Sequence, residues 1–195
     1  MNRLVKISLL FLLIMIVPLA GYSQKEQTSR YTLNIGLGIE KVGLPFRKVI
    51  DFPIHSSYHL GIERRWSDLS EKKAFQCLEV AVFTNSSAGS GYLLHTSCGT
   101  KIDIIKAFYF SPSAGIGLLH LFRPKESFVL ENGESVLSKD RGNFYPEVLL
   151  NLKLGYQLNR MGFFGSYQTG IQFGYDDDIN MLPRTFLTLG VRYEI

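Results

Sequence analysis

Long parts of the chain alternate between apolar and polar residues. From Tyr31 to Glu40 an apolar side chain occupies every second position, and polar residues or glycines fill the positions between them. Because successive residues of a strand point to opposite faces, this pattern predicts a strand with one apolar and one polar face. The alternation recurs in seven further runs: Ser56–Arg65, Phe75–Thr84, Gly91–Ile102, Phe108–Phe122, Val148–Leu158, Phe163–Tyr175 and Leu187–Ile195. The sequence therefore predicts eight strands.

The lengths of these strands and of their connections indicate the fold class. The runs are about 10 to 15 residues long, whereas strands of soluble proteins have about 5 or 6 and a tilted strand needs about 9 to 11 to cross a bilayer. Polar or turn-rich connections (43–55, 85–90, 123–143 and 176–183) alternate with mostly shorter ones (66–74, 103–107 and 159–162). Long outer loops, short periplasmic turns and an even strand number are typical of outer-membrane barrels. We therefore expect an all-β, eight-stranded, antiparallel up-and-down transmembrane β-barrel.

The N-terminus predicts export. Arg3 and Lys6 precede an uncharged run from Ile7 to Val17, and the small residues Gly21 and Ser23 follow. This order is that of a secretory signal peptide, and the apolar run is shorter than the about 20 residues of a spanning helix. We expect cleavage after Ser23, so that residues 1–23 are the signal peptide and residues 24–195 form the barrel domain.

Composition narrows the range of partners. The formal net charge is +4, but removing Arg3 and Lys6 from the 21 basic residues leaves 19 against 17 acidic ones. No clustered basic stripe remains, so no nucleic-acid partner is expected. The glycine-x-glycine steps lie inside strands, and His55 and His59 are too far apart on a strand to share a metal. We expect no cofactor or metal, a monomer, and contact with outer-membrane lipid and lipopolysaccharide.

The polar strand faces are expected to line the barrel. Backbone groups in lipid must be satisfied inside the protein, so the apolar faces should contact lipid. The lumen of an eight-stranded barrel is about filled by side chains. The charged residues expected to form a mixed network there are Glu40, Glu63, Glu79, Glu147, Lys153, Arg192 and Glu194. Structural filling of a closed lumen is the favoured interpretation, and a proton or ion pathway is the alternative.

Several segments resemble a known group of proteins. The strands "YTLNIGLGIE", "FYFSPSAGIGLLHLF" and "FLTLGVRYEI", with a signal ending at Ser23, resemble the small outer-membrane β-barrel proteins of the Bacteroidetes, the PorT-like or OmpA-like group. The resemblance covers the mature chain and implies an outer-membrane location. The last strand, with Tyr193 and Ile195, resembles the signal read by the barrel-assembly machinery, although it ends in isoleucine where an aromatic residue is usual.

Two other functions are compatible with the sequence. Lipid A deacylases of the PagL type place a His-x-Ser pair on one barrel strand, and His95 and Ser97 have this spacing, with Glu79 on the preceding strand as a residue that could orient the base. In those enzymes asparagine follows the serine, whereas Cys98 stands here. The second alternative is a soluble periplasmic barrel of lipocalin type, which requires the apolar faces to point inward.

The cysteines and the longest loop complete the candidate features. Cys77 and Cys98 lie in the exported part on adjacent predicted strands, where a disulfide is possible if their Cα atoms lie within about 7 Å; two buried free thiols are the alternative. The loop from Arg123 to Asn143 mixes basic and apolar side chains, and it is the best candidate for an outer contact surface. Its candidate contact residues are Arg123, Lys125, Phe128, Val129, Lys139 and Arg141. The favoured function is a structural, adhesive or accessory role through the outer loops, without enzymatic activity.

Overall fold

The computed structural model describes residues 31–43, 54–66, 73–105, 107–122, 127–131, 134–138, 142–174 and 180–195. Its strands are β1 (Tyr31–Val42), β2 (His55–Arg65), β3 (Lys73–Phe83), β4 (Ser90–Ile105), β5 (Phe108–Phe122), β6 (Ser127–Glu131), β7 (Glu134–Ser138), β8 (Asn143–Leu158), β9 (Met161–Phe173) and β10 (Met181–Glu194). The predicted signal peptide lies outside the described residues.

Eight of these strands close into a barrel. β1, β2, β3, β4, β5, β8, β9 and β10 follow one another around the sheet, and β10 pairs back with β1. Every neighbouring pair is antiparallel. The predicted fold class is confirmed. One end of the barrel, which we call the long-loop end, carries the connections 43–54, 84–89, 123–142 and 174–180. The other end, which we call the short-turn end, carries the connections 66–72, 106–107 and 159–160.

Apolar side chains cover the outside of the barrel and polar ones point inward. On β1, Ile35 and Leu37 are exposed, whereas Asn34 and Gly36, on the other face of the strand, are buried. The same alternation follows the other barrel strands, and Leu189 on β10 is 72% exposed. An apolar exterior of this kind excludes the lipocalin-type alternative, whose apolar face must line the lumen. Among the described residues, no helix is long and apolar enough to cross a membrane.

The lumen is less uniformly polar than the sequence predicted. Toward the long-loop end, inward-facing side chains from five strands form an apolar plug, whose members are Ala81, Phe83, Leu93, Leu119, Leu121, Tyr145, Leu149 and Phe186. Phe83 and Phe186 meet edge to face, with their ring centroids 5.7 Å apart. A plug of close-packed side chains leaves this part of the lumen filled.

The structure corrects several predicted strand ends. β8 begins at Asn143 and β10 at Met181, whereas the alternation predicted strand starts at Val148 and Leu187. Each early segment contains a proline, Pro146 or Pro183, a residue that argues against a paired strand because it lacks an N–H donor. Both prolines are nonetheless part of paired barrel strands: Pro146 lies opposite Leu118, and Pro183 lies opposite Ile171.

The loop predicted over 123–143 contains a hairpin. β6 and β7 pair with each other in a separate two-stranded sheet, in which Val129 lies opposite Val136. Phe128 and Val129 belong to β6, and the other four candidate contact residues of this loop lie outside the described residues. The sequence carried a signal for this hairpin, because the Asn132–Gly133 dipeptide between two apolar runs favours a two-residue turn.

Candidate functional site

The lumen holds the densest set of chemically active side chains in the described part of the chain. All seven charged residues predicted to line it lie on inward-facing positions, although Glu194 at the short-turn end is only partly buried. They belong to separate clusters along the barrel.

A buried ion pair lies at the mouth of the lumen. Arg184 on β10 donates through Nη1 to Oε1 of Glu40 on β1. Asn85, in the connection after β3, donates through Nδ2 to the other carboxylate oxygen of Glu40 at 2.6 Å. The Arg184 guanidinium carbon lies 4.6 Å from the centroid of the Phe83 ring, on which it can form a cation–π contact. The pair therefore rests on the apolar plug.

A second cluster surrounds His59 on β2. Its Nδ1 lies 2.9 Å from Oε1 of Glu79 on β3, and its Nε2 lies 3.1 Å from the Ser57 hydroxyl and 3.2 Å from that of Thr188. Because a carboxylate only accepts, Nδ1 carries the proton of a neutral His59 and Nε2 is left to accept from the hydroxyls. The Nε2 atom of His95 lies 3.4 Å from the same Glu79 oxygen.

This order of serine, histidine and glutamate is that of a hydrolase relay. The surroundings do not provide room for a substrate, however. Ser57 is 1% exposed, and a Cβ atom at Gly38 on the neighbouring strand would lie only 2.9 Å from its hydroxyl oxygen. The cluster therefore acts as a packed hydrogen-bond network that joins β2, β3 and β10.

A third cluster occupies the short-turn half of the lumen. Arg192 on β10 donates to Glu63 on β2 at 3.2 Å, and it also contacts the Thr32 hydroxyl at 3.4 Å. Tyr109 lies beneath two cations, with Arg192 at 5.0 Å and the Lys101 ammonium at 4.5 Å from its ring centroid. At the rim, Arg65 donates to Glu194 at 2.9 Å.

The two remaining predicted network members have other environments. The Lys153 ammonium lies 4.8 Å from the centroid of the Phe164 ring. Glu147 is buried, and its side chain lies across Gly170 on the neighbouring strand. Lumen residues that the sequence did not single out include Ser57, Lys101, Tyr109, Arg184 and Thr188, and His59 was considered only as a metal ligand. Arg184 could have been found, because it shares the even-numbered face of β10 with Arg192 and Glu194.

Aromatic rings cover glycines on adjacent strands. Phe75, Tyr109 and Phe164 lie directly opposite Gly99, Gly155 and Gly190 in the sheet register. A Cβ atom at any of these three glycines would overlap the facing ring. Rings folded over glycines fill the narrow lumen and pin the register, a device known as aromatic rescue.

The predicted hydrolase residues share one strand face, and Glu79 lies opposite His95, but the hydrogen bond expected between His95 and Ser97 is not formed. His95 and Ser97 share the inward face of β4, where both are buried and turned away from the outer apolar surface. No hydrogen bond joins these two side chains among the described residues. The Nε2 atom of His95 lies 3.4 Å from Oε1 of Glu79, the residue expected to orient it. A lipid substrate would therefore have to enter the filled lumen to reach Ser97.

The disulfide considered from the sequence does not form. Cys77 lies opposite Ser97, and Cys98 lies opposite Gln76, so the two cysteines occupy opposite faces of the sheet. Both are free, with Cys77 buried in the lumen and Cys98 exposed outside. A disulfide would need Cys77 opposite Cys98, whereas the observed partner of Cys77 is Ser97, one residue away. A shift of one residue moves a strand's side chains to the other face.

Within the described ranges, no group of three or more His, Cys, Asp or Glu side chains is arranged to hold a metal ion. The acidic residues 176–178, which follow β9, lie outside those ranges.

Comparisons with known proteins identify the kind of barrel. No protein-family profile matches the sequence, and no curated protein matches it. Among solved structures, Neisserial surface protein A is similar with a TM-score of 0.55 and 11% identity, covering 88% of this chain and 100% of that one. The attachment invasion locus protein Ail of Yersinia pestis is similar with a TM-score of 0.51 and 12% identity, covering 87% and 100%. The chain thus has the fold of small eight-stranded outer-membrane β-barrels.

Proposed function

We propose that the chain is an outer-membrane barrel that acts through its long-loop end, in a structural, adhesive or accessory role. The observation that carries this proposal is the filled lumen. The Phe186 ring and the Arg184 guanidinium are both 0% exposed, so a diffusing solute has no open path through the plug. Any function must then be exerted at the ends or on the outer wall of the barrel.

The long-loop end offers the larger contact surface. It carries the β6–β7 hairpin, which pairs with no barrel strand, whereas the described turn at 159–160 is a tight connection between β8 and β9. We propose that Arg123, Lys125, Phe128, Val129, Lys139 and Arg141 contribute to this surface. The name of the Yersinia protein refers to attachment and invasion, but a likeness at 12% identity carries only the fold.

The membrane environment follows from the same proposal. The apolar outer wall would contact outer-membrane lipid, including lipopolysaccharide in the outer leaflet. The chain would be exported by the cleaved signal peptide of residues 1–23, inserted by the barrel-assembly machinery and act as a monomer. The narrower assignment to PorT-like barrels of the Bacteroidetes remains a prediction from the sequence.

Epitope insertion tests the proposed orientation. A tag inserted between Asn132 and Gly133 should be stained by antibody on intact cells. The same tag inserted between Asn159 and Arg160, at the short-turn end, is the matched control and should be stained only after the outer membrane is permeabilised. The reverse pattern would place the hairpin in the periplasm and remove the basis of the proposed role.

A hairpin replacement tests the role itself. Residues 125–140 are exchanged for a short Gly-Ser linker, and the variant is compared with the wild type for cell aggregation and for attachment to a protein-coated surface. We expect attachment to fall while the barrel still migrates faster unheated than boiled in a detergent gel. Unchanged attachment by a correctly folded variant would contradict an adhesive role.

A further inference from the structure

The connection Thr84–Gly89 between β3 and β4, here called the latch loop, is held in one conformation by Asn85. The Asn85 Oδ1 atom accepts hydrogen bonds from the backbone N–H groups of Ser87 at 2.9 Å and Ala88 at 2.8 Å. The Gly89 N–H donates to the Asn85 carbonyl oxygen at 3.0 Å. An asparagine that caps the following residues in this way fixes a turn. The two ends of the loop are also held, because the Thr84 N–H donates to the Ser56 carbonyl at 3.0 Å and the Asn85 N–H donates to the Ser90 hydroxyl at 3.2 Å.

The same amide also joins the loop to β1, which lies two strands away around the barrel wall. Asn85 Nδ2 donates to Glu40 on β1, and Glu40 pairs with Arg184 on β10. The contact crosses over β2, which lies between β1 and β3 in the barrel. The Asn85 side chain therefore links the conformation of the loop, through Oδ1, to a buried ion pair, through Nδ2.

The ion pair forms the polar cover of the apolar plug. Arg184 lies over the Phe83 ring, which contacts Phe186. If Asn85 leaves, one Glu40 oxygen loses its donor in a site where Glu40 and Arg184 are almost completely buried. A buried carboxylate oxygen without a donor is costly, so water is drawn in to replace the amide.

We propose that the latch loop closes the long-loop end of the lumen, and that Asn85 is the residue that couples its release to entry of water above the plug. In the closed state the Asn85 amide satisfies both its own turn and Glu40. In the released state the turn loses its cap, Glu40 is hydrated and the plug is exposed to solvent. The loop is thus a conformational device of the mouth and not only a connection.

Thiol labelling of a plug residue measures this release. Cys77 and Cys98 are both changed to serine, and Ala81→Cys places a reporter in the plug, where Ala81 is buried. Asn85→Ser keeps a hydroxyl that can cap the turn but is too short to reach Glu40. Ser86→Ala, which changes an exposed side chain of the same loop, is the matched control.

We expect Asn85→Ser to raise the rate of reaction with a small water-soluble methanethiosulfonate at least tenfold, and Ser86→Ala to leave it unchanged. Heat-dependent gel mobility shows that each variant is folded. A folded Asn85→Ser variant that reacts at the parent rate would overturn the proposal. Amide exchange in the unmodified protein gives a second test that needs no variant: the Gly89 N–H should be protected, and exchange at the rate of an open loop would equally overturn it.

Discussion

At the scale of single residues, the glycines of this barrel differ according to the face they occupy. Gly155 faces the lumen under the ring of Tyr109, whereas the nearest atom to a Cβ at Gly165 on the outer wall would be Leu189 Cδ2 at 3.5 Å, an ordinary contact. We expect Gly155→Ala to lower the free energy of unfolding by about 1–3 kcal/mol through overpacking. Gly165→Ala should change it by less than about 0.5 kcal/mol. Urea unfolding in lipid vesicles measures both, and equal effects would contradict the ring-over-glycine packing.

Ion pairs of this protein should also differ in strength according to burial. Glu63 and Arg192 are both buried, so Glu63→Ala leaves a cation without its carboxylate and should cost about 3–5 kcal/mol. Lys73 and Asp103 pair at 2.9 Å with side chains 37% and 45% exposed. Asp103→Ala should therefore cost at most about 1 kcal/mol. The same unfolding measurement checks both values, and a larger loss for Asp103→Ala would reverse the assigned importance of the two pairs.

The sequence predicted which side of the barrel wall each residue faces, but it did not predict which side chains contact one another. Alternation placed Glu40 and Arg192 in the lumen, because it depends only on residues along one strand. The contacts of Glu40 with Arg184 and Asn85 depend on how far neighbouring strands are staggered around the closed barrel. That stagger brings together residues more than 40 positions apart in the chain, and no local pattern encodes it.

At the scale of elements, local chemistry explains both the successes and the errors of the strand prediction. Long alternating runs such as β1 were found because their pattern is uninterrupted. The first residues of β8 and β10 were missed because Pro146 and Pro183 argue against a strand when only the chain itself is considered. Pairing with two neighbours on a closed sheet outweighs that local cost, and it extends both strands toward the long-loop end.

The register of β3 and β4 predicts a disulfide that the natural sequence does not form. Ser97→Cys combined with Cys98→Ser places a thiol directly opposite Cys77 on the same face. Directly opposed residues of antiparallel strands have Cα atoms about 4.5–5.5 Å apart, which suits a disulfide. After refolding with oxidised glutathione, mass spectrometry with alkylation should find no free thiol in this variant and two in the wild type. Cys98→Ser alone is the control, and two free thiols in the double variant would show that the register is wrong.

At the scale of the whole molecule, the inside and the outside of the barrel reverse the arrangement of a soluble protein. The polar clusters around Glu40, His59 and Arg192 are buried, while apolar side chains such as Leu37 and Leu189 are exposed. The alternation predicted this reversal only together with strand length, because the faces alone fit a lipocalin-type barrel equally well. The plug was not predicted, because its members interrupt the polar face at only one or two positions in each strand.

The plug makes the whole barrel a closed body, and this has a direct electrical consequence. In planar lipid bilayers the refolded wild type should show no steady conductance steps, because Phe83 and Phe186 fill the lumen beneath the Glu40–Arg184 pair. Phe83→Ala combined with Phe186→Ala removes the rings that pack beneath Arg184, and each change costs about 3–5 kcal/mol of stability. Where the double variant stays folded by gel mobility, water should fill the space and single conductance steps should appear. Tyr58→Ala with Leu60→Ala, on the exposed outer wall, is the control and should remain silent. Steady steps from the wild type would contradict a filled lumen, and with it the reason for assigning function to the long-loop end.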